Sequence, residues 1–335
     1  MRARATPLTA WLLVAAAAVA FAVLLSISVG TRELSFPTVL DALFHFDAAN
    51  PDHLVVRELR LPRTLAGLLA GVALGLSGAV IQGATRNPLA DPGLLGVNSG
   101  AALFVVLGIG TFGISSVGGY VWFGFAGAAV AGGVVYGISS LGRAGATPVK
   151  LALAGAAVSA ALASVTSALL LTDTTTFDQY RFWQVGSLTG RDAATIAGAV
   201  PFIVAGVVLT LTAARMLNAL ALGEDVARSL GQNVVLARAV CALAVIVLCG
   251  AATAIAGPIA FVGLTVPHVA RMLTGPDHRW LLPFSALLAP LLLLLSDVVG
   301  RVVARPAEVQ VGIITALLGA PVFVALVRRK KPVAV

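Results

Sequence analysis

Charge is scarce in this sequence. Only 11% of its 335 residues are Asp, Glu, Lys or Arg, against about a quarter in ordinary soluble domains, and that excludes a soluble fold with a solvated, charged surface. Between Pro92 and Gly142 no charged residue occurs at all; one bilayer crossing takes about 20 apolar residues, so this stretch suits two. Cysteine is nearly missing. Cys241 and Cys249 lie on one apolar run, separated by about 12 Å of helical rise, beyond the roughly 7 Å a disulfide tolerates between Cα atoms, so both are read as small packing residues. The histidines, His45, His53, His268 and His278, are scattered with no Cys, Glu or His at ligand spacing, and no metal site is expected. The chain has no G-x-x-x-x-G-K-[ST] loop to cradle a phosphate, no H-E-x-x-H and no activated serine or cysteine arrangement, so neither an ATPase nor a membrane-embedded enzyme is supported.

Apolar residues and glycine are abundant instead. Hydrophobic residues make up 59% of the chain, glycines number 35, and the mean hydropathy is +1.00. Helices in lipid associate by close approach through small residues, so the expected fold is an all-α polytopic membrane bundle forming one transmembrane domain over 1–335. Reading apolar runs against polar breaks places about ten spans, at 10–29, 61–82, 94–112, 118–140, 149–171, 193–213, 236–256, 258–274, 281–300 and 310–327, on windows of about 20 residues. The first run follows Arg2 and Arg4 like a signal peptide, but it is long for one and no small-residue cleavage site follows, so it is read as a span. The break at Gly257-Pro258 is the weakest, since proline can kink a span that continues.

Orientation follows from the basic residues. With the N-terminus inside, 14 of the 22 Lys and Arg but only four of the 14 Asp and Glu fall on the cytoplasmic side, as the positive-inside rule requires. Both termini are therefore expected in the cytoplasm. Because the charges are spread over many loops rather than gathered in a patch, the basic balance speaks for topology and not for nucleic acid.

Three polar segments are long enough to hold structure. In 30–60, outside, Phe36, Val39, Leu40, Leu43 and Phe44 recur at helical spacing after Pro37, which predicts an interfacial helix. In 172–192, also outside, Tyr180 and Trp183 read first as headgroup anchors and second as ligand contacts. In 214–238, inside, Gly223-Glu224-Asp225-Val226-Ala227-Arg228-Ser229-Leu230-Gly231 opens with two acids where a helix dipole favours them and closes with glycine. Val226, Ala227 and Leu230 are placed on one face, suited to a groove on a cytoplasmic partner; on spacing alone an ordinary surface helix joining two spans is the favoured reading.

At this point the ordered motifs become specific. Arg60-Leu61-Pro62-Arg63, Arg86-Asn87-Pro88-Leu89-Ala90-Asp91-Pro92-Gly93-Leu94-Leu95-Gly96, the Gly223–Gly231 segment, Gly257-Pro258-Ile259-Ala260-Phe261-Val262-Gly263-Leu264 with Pro267-His268, and Gly319-Ala320-Pro321-Val322-Phe323 closely resemble the permeases of bacterial ABC importers for ferric siderophores, haem and cobalamin. The resemblance implies a type II importer fold like that of the cobalamin permease. It also implies a permease dimer, homomeric or heteromeric, around a central path, two cytoplasmic ATPases that carry ATP and Mg, and an extracytoplasmic substrate-binding protein. It assigns Glu224, Asp225, Val226, Ala227, Arg228, Leu230 and Gly231 to the helix that couples to the ATPase. Arg60, Arg63 and Arg301 would receive carboxylates of the binding protein, with Arg305 nearby; their alternative is arginines that snorkel to the interface. Asn87 and Leu89 would form a cytoplasmic gate, stiffened by Pro88 and Pro92; the alternative is a tight turn. A second gate element near Thr147-Pro148 departs from relatives that carry small hydroxyl residues there.

The expected function is thus the permease subunit of an ABC importer for a ferric siderophore in the bacterial inner membrane, with no cofactor of its own. Siderophore is preferred over haem or cobalamin because Tyr180-Arg181-Phe182-Trp183-Gln184-Val185-Gly186-Ser187-Leu188 looks most like the corresponding segment of siderophore permeases. An ion-driven secondary transporter is the alternative from another class. It is disfavoured because Asp297, near the outer end of its span, is the one carboxylate approaching mid-membrane, and such carriers display buried acids or broken-helix ion sites.

Overall fold

The computed structural model describes residues 5–114, 116–142 and 146–328, and all regular structure among them is helical. Helix α1 (Ala5–Ser28) comes first, and α2 (Phe36–Phe44) follows it, capped by Ser35 with Pro37 in its first turn. Helix α3 (Pro51–Leu54) passes through a π-helical turn, Val55–Arg60, into α4 (Leu61–Thr85). A loop with a short 3-10 turn, Pro92–Leu95, leads to α5 (Val97–Gly110). Then come α6 (Val117–Ser140), α7 (Pro148–Thr172), α8 (Thr174–Gln184), α9 (Ala193–Ala221) and α10 (Glu224–Ser229). The chain ends with α11 (Val234–Ala256), α12 (Val262–Thr274), α13 (His278–Val303) and α14 (Val311–Val327).

Each of the ten expected windows holds a helix, and among the described residues seven helices are long and apolar enough to cross a membrane. Two windows are corrected in depth. Helices α5 and α12 have 14 and 13 residues, a rise of about 20 Å against an apolar core of about 30 Å. They begin part-way through the bundle: Gly263, at the start of α12, packs against the Leu74 carbonyl of α4 and against Pro92. The Gly257-Pro258 break is complete, since α11 stops at Ala256, Gly257 takes φ +74° and Phe261 takes φ +67° before the next helix starts.

Helices α4 and α11 run through the middle of the bundle. Helix α4 touches α9, α11, α12 and α13, and most of its residues are buried. One face of α4 carries Gly71, Gly75 and Gly78, at which any Cβ would overlap Pro290, the Ser285 carbonyl and the Gly263 carbonyl respectively. Helices α13 and α12 thereby approach at backbone distance, as small residues permit in lipid. Cys241 and Cys249, on α11, form no disulfide and are buried.

Two side-chain expectations change. On α2, Val39 faces inward with Ile27 and Val56, while Phe36, Leu40 and Phe44 form an exposed stripe; the helix therefore has one protein face and one apolar outer face. On α8, Tyr180 and Trp183 point into the core, only 5% and 2% exposed, rather than anchoring at the headgroups, and Phe177 and Phe182 are the exposed aromatics. Of the basic residues assigned to the cytoplasmic side, Arg2, Arg4, Arg143, Arg329, Lys330 and Lys331 lie outside the described residues.

Candidate functional site

The π-turn and first turn of α4 and the last turn of α13 bring Arg60, Arg63 and Arg301 to one end of the bundle. All three are buried, at 5%, 9% and 2% exposure. Arg60 Nη1 donates to the carbonyls of Ile27 (2.9 Å) and Ser28 (2.6 Å), and Arg301 Nη1 donates to those of Ser26 (2.9 Å) and Val29 (2.8 Å). These are the carbonyls a helix end leaves unsatisfied, so two arginines from distant elements close the C-terminus of α1. Arg63 grips Asp297 through Nε and Nη2, the latter at 2.8 Å, and reaches Glu308 through Nη1 at 2.7 Å. Arg301 also pairs with Asp297 at 3.1 Å. A guanidinium this deep needs internal partners, and the fold supplies them: backbone carbonyls for Arg60 and Arg301, and Asp297 with Glu308 for Arg63. Arg305 is more exposed and pairs with Glu33 at 2.8 Å. A cavity of about 330 Å³ opens over the cluster, walled by Arg60, Arg63, Arg191 and Arg301 with Glu308 at its side.

At the other end, α10 lies between α9 and α11. Gly223, at φ +101°, lets the chain turn into it, and Gly231, at φ +79°, lets it leave, conformations that favour glycine. Arg228 bridges Glu224 (3.1 Å) and Asp225 (3.2 Å), and Arg238 of α11 binds the other oxygen of Glu224. The short helix is thereby fastened to a spanning one. Asp225, Val226 and Leu230 are exposed, whereas Ala227 is fully buried with Leu220, Val234 and Ala237. The expected common face is corrected here: Val226 and Leu230 are four apart and align, while Ala227 lies about 100° round the helix and faces the bundle.

At the α10 end as well, Arg86 closes α4 at φ +50°, and its Nη1 lies 3.8 Å from where a Cβ on Gly223 would sit. Asn87 Oδ1 accepts the Leu89 N–H (2.9 Å) and Asp91 Oδ1 accepts the Gly93 N–H (2.8 Å), so two Asx turns shape the loop. Leu89 is 47% exposed. Burial pushes the Asp91 carboxyl up from the ordinary carboxylate range, against the lowering effect of the Gly93 N–H. Thr147 caps α7 by accepting the Lys150 N–H at 3.3 Å. A polar cleft of about 320 Å³ lies between α5, α7 and α8, lined by Asn98, Ser99, Thr166, Ser167, Tyr180 and Gln184.

Several partners escaped the sequence. Asp297 stood out as a carboxylate near mid-membrane, but Arg63 is 234 positions away, and nothing local links them. No motif in the sequence points to Arg191, Glu308 or Arg238, whose partners appear only in the fold. His45 and His53 both approach Asp41 at 3.4 Å. His53 Nδ1 accepts the Asp47 N–H, so its proton sits on Nε2, facing the carboxylate. The one available signal was charge of opposite sign at equal membrane depth, which applies to Arg63 with Asp297 and to Glu224 with Arg238.

Comparison with known proteins gives this geometry a context. The FecCD transport family matches residues 18–329. Over 307 residues the chain is 49% identical to the ferric enterobactin transport system permease protein of Escherichia coli, covering 91% of each. It is 42% identical over 313 residues to the iron(3+)-hydroxamate import system permease protein of Bacillus subtilis, covering 92% of this chain and 80% of the relative. A solved structure reported as an inward-facing metal-chelate type ABC transporter superposes with a TM-score of 0.81 at 31% identity, covering 95% of this chain and 99% of that one.

Proposed function

The chain belongs to the FecCD transport family and is the permease of an iron-chelate ABC importer; from that premise we propose that its cargo is a ferric siderophore. The single observation that carries this is the 49% identity, nearly end to end, with a ferric enterobactin permease. Cargo would cross still chelated, and ATP and Mg would be held by the ATPase rather than by this chain. Two permeases, two ATPases and an extracytoplasmic binding protein make up the working importer, with both permease termini in the cytoplasm.

In this reading α10 seats Asp225, Val226 and Leu230 in a cleft of the ATPase, an amphipathic helix in a groove. Its tie to α11 through Glu224 and Arg238 makes it a lever rather than a hinge, so a push on α10 moves α9 and α11 together. Arg86, beside Gly223, carries that push to Asn87 and Leu89, where two Asx turns and two prolines keep the gate loop stiff. On the outer face, the arginine-walled cavity receives a carboxylate of the binding protein, with Arg60, Arg63 and Arg301 at its base. The hydroxyl and amide groups of the cleft between α5, α7 and α8 give a chelate a polar surface to slide along.

The test is reconstitution of the permease with its ATPase and binding protein in liposomes, followed by uptake of ferric siderophores, haem and cobalamin. ATP-dependent uptake of a ferric siderophore is expected. Uptake confined to haem or cobalamin would overturn the cargo assignment, and uptake driven by an ion gradient without the ATPase would overturn the importer itself.

A further inference from the structure

We propose that Glu308 is a resident carboxylate of the outer cavity that gives way to a carboxylate of the binding protein, so that docking frees the 304–310 segment. This deepens the docking reading above and rests on it.

The two carboxylates on Arg63 are not equivalent. Asp297 is 1% exposed and is held by Arg63 Nε and Nη2 together with Arg301 Nη2. Glu308 is held by one guanidinium nitrogen, Arg63 Nη1 at 2.7 Å, with a longer contact to Thr189 Oγ1 at 3.4 Å, and its side chain is 29% exposed. Of the two, Glu308 is the one that exchanges.

Cationic donors outnumber the acids that fill them. Arg191 is 6% exposed; one Nη donates to the Ser187 carbonyl at 3.1 Å, while its Nε is buried without a partner, as is the Nε of Arg301. Glu58 and Asp192 also line the cavity, but Asp192 is engaged in capping α9 through the Thr195 N–H at 2.8 Å. When Glu308 leaves, Arg63 keeps Asp297 but its Nη1 loses its acceptor, and an unsatisfied buried donor is costly, so Glu308 gives way as another carboxylate arrives. Such an exchange calls for a charged side chain on the incoming surface.

Glu308 is also placed to report the exchange. It lies on the irregular segment between α13 and α14, next to Val309, whose N–H donates to the Gly300 carbonyl at 3.0 Å. At the start of α14, the Gly312 N–H donates to the Gly186 carbonyl at 3.2 Å, in the loop that also carries Thr189 and Arg191. Loss of the Arg63–Glu308 pair thus removes a tie between α4 and the entry to α14.

The experiment uses the whole importer in lipid nanodiscs, with the affinity of the binding protein measured at low salt. E308Q keeps the shape and can still bond Thr189 but removes the internal competitor, so it tightens docking about fivefold or more, as removal of a conformational tax does. E33Q, the same charge change at the exposed partner of Arg305, alters affinity less than about twofold, as expected of a screened surface charge. R191Q weakens docking while leaving Asp297 paired. Hydrogen exchange over 304–310 quickens on docking in the wild type and is already fast in undocked E308Q. If R191Q weakens docking but E308Q matches E33Q, or exchange over 304–310 ignores docking, the displacement is wrong and the docking reading stands. If R191Q and E308Q both bind as wild type, the cavity is not the docking site and both readings fall.

Discussion

Gly78 of α4 and Gly263 of α12 meet backbone to backbone: a Cβ on Gly78 would overlap the Gly263 carbonyl oxygen. No flexible side chain stands there to move aside. Gly78→Val is therefore expected to separate α4 from α12 and lower both yield and thermal stability in detergent, whereas Gly137→Ala on α6, where nothing lies within 4 Å, is expected to be neutral or stabilising by up to about 1 kcal/mol. Equal melting temperatures for the two variants would show that this contact does not hold the bundle together.

Asp297 neutralises two buried guanidiniums at once, those of Arg63 and Arg301. Removing one partner of a buried pair leaves an uncompensated charge and costs about 3–5 kcal/mol, so Asp297→Ala is expected to unfold at markedly lower temperature or fail to accumulate. Arg228 and Asp225, by contrast, pair on the surface with side chains 57% and 102% exposed, where such contacts contribute about 0–1 kcal/mol. Asp225→Ala is therefore expected to melt within a degree or two of wild type. Thermal melts of both variants in one detergent decide the comparison.

The positions of the ten spans were legible because a helix in lipid must be long, apolar and bounded by polar turns, and those are properties of short stretches of chain. Facing was less legible. Helices apolar on all sides, such as α1 and α7, carry no pattern that distinguishes a protein face from a lipid face, and on α8 the preference of aromatics for headgroups gave way to packing of Tyr180 and Trp183 in the core. The half-depth starts of α5 and α12 depend on where their loops dock against α4, a tertiary fact. For the same reason the arginines were found but their partners were not: Arg63 with Asp297, and Arg301 with the end of α1, join elements more than 200 positions apart. Glu224 and Asp225 were recognisable at a helix start, whereas the inward turn of Ala227 appears only once α9 and α11 pack behind it.

Asp91 offers a pH test. Burial raises its carboxyl above the ordinary range, so the folded state holds the proton more tightly than the unfolded one. The contribution of this group to stability is then fully present below the unfolded carboxylate range and lost as pH rises through the folded value. Asp91→Asn keeps an oxygen to accept the Gly93 N–H without a buried charge. It is expected to melt above wild type at pH 8, with the gap narrowing as the pH is lowered toward 4. A gap independent of pH would mean that Asp91 is not protonated more readily in the fold.

The division of α10 into an exposed edge and a buried side allows coupling to be separated from folding. Val226 and Leu230, 46% and 66% exposed, touch little within the chain, so Val226→Asp with Leu230→Asp is expected to leave insertion and melting temperature intact while strongly reducing the ATPase that co-purifies. Asp225→Lys is expected to act in the same direction, since it reverses a charge on the same exposed edge. Ala227 has no room around it, and overpacking a tight site costs about 1–3 kcal/mol; Ala227→Leu is therefore expected to lower stability and ATPase association together. Arg238→Gln tests the lever itself: it frees Glu224 from α11 without touching the exposed edge, so the ATPase should still bind while ATP-driven uptake falls. Were uptake to survive that loss, α10 would be acting as a passive contact rather than a transmitting one.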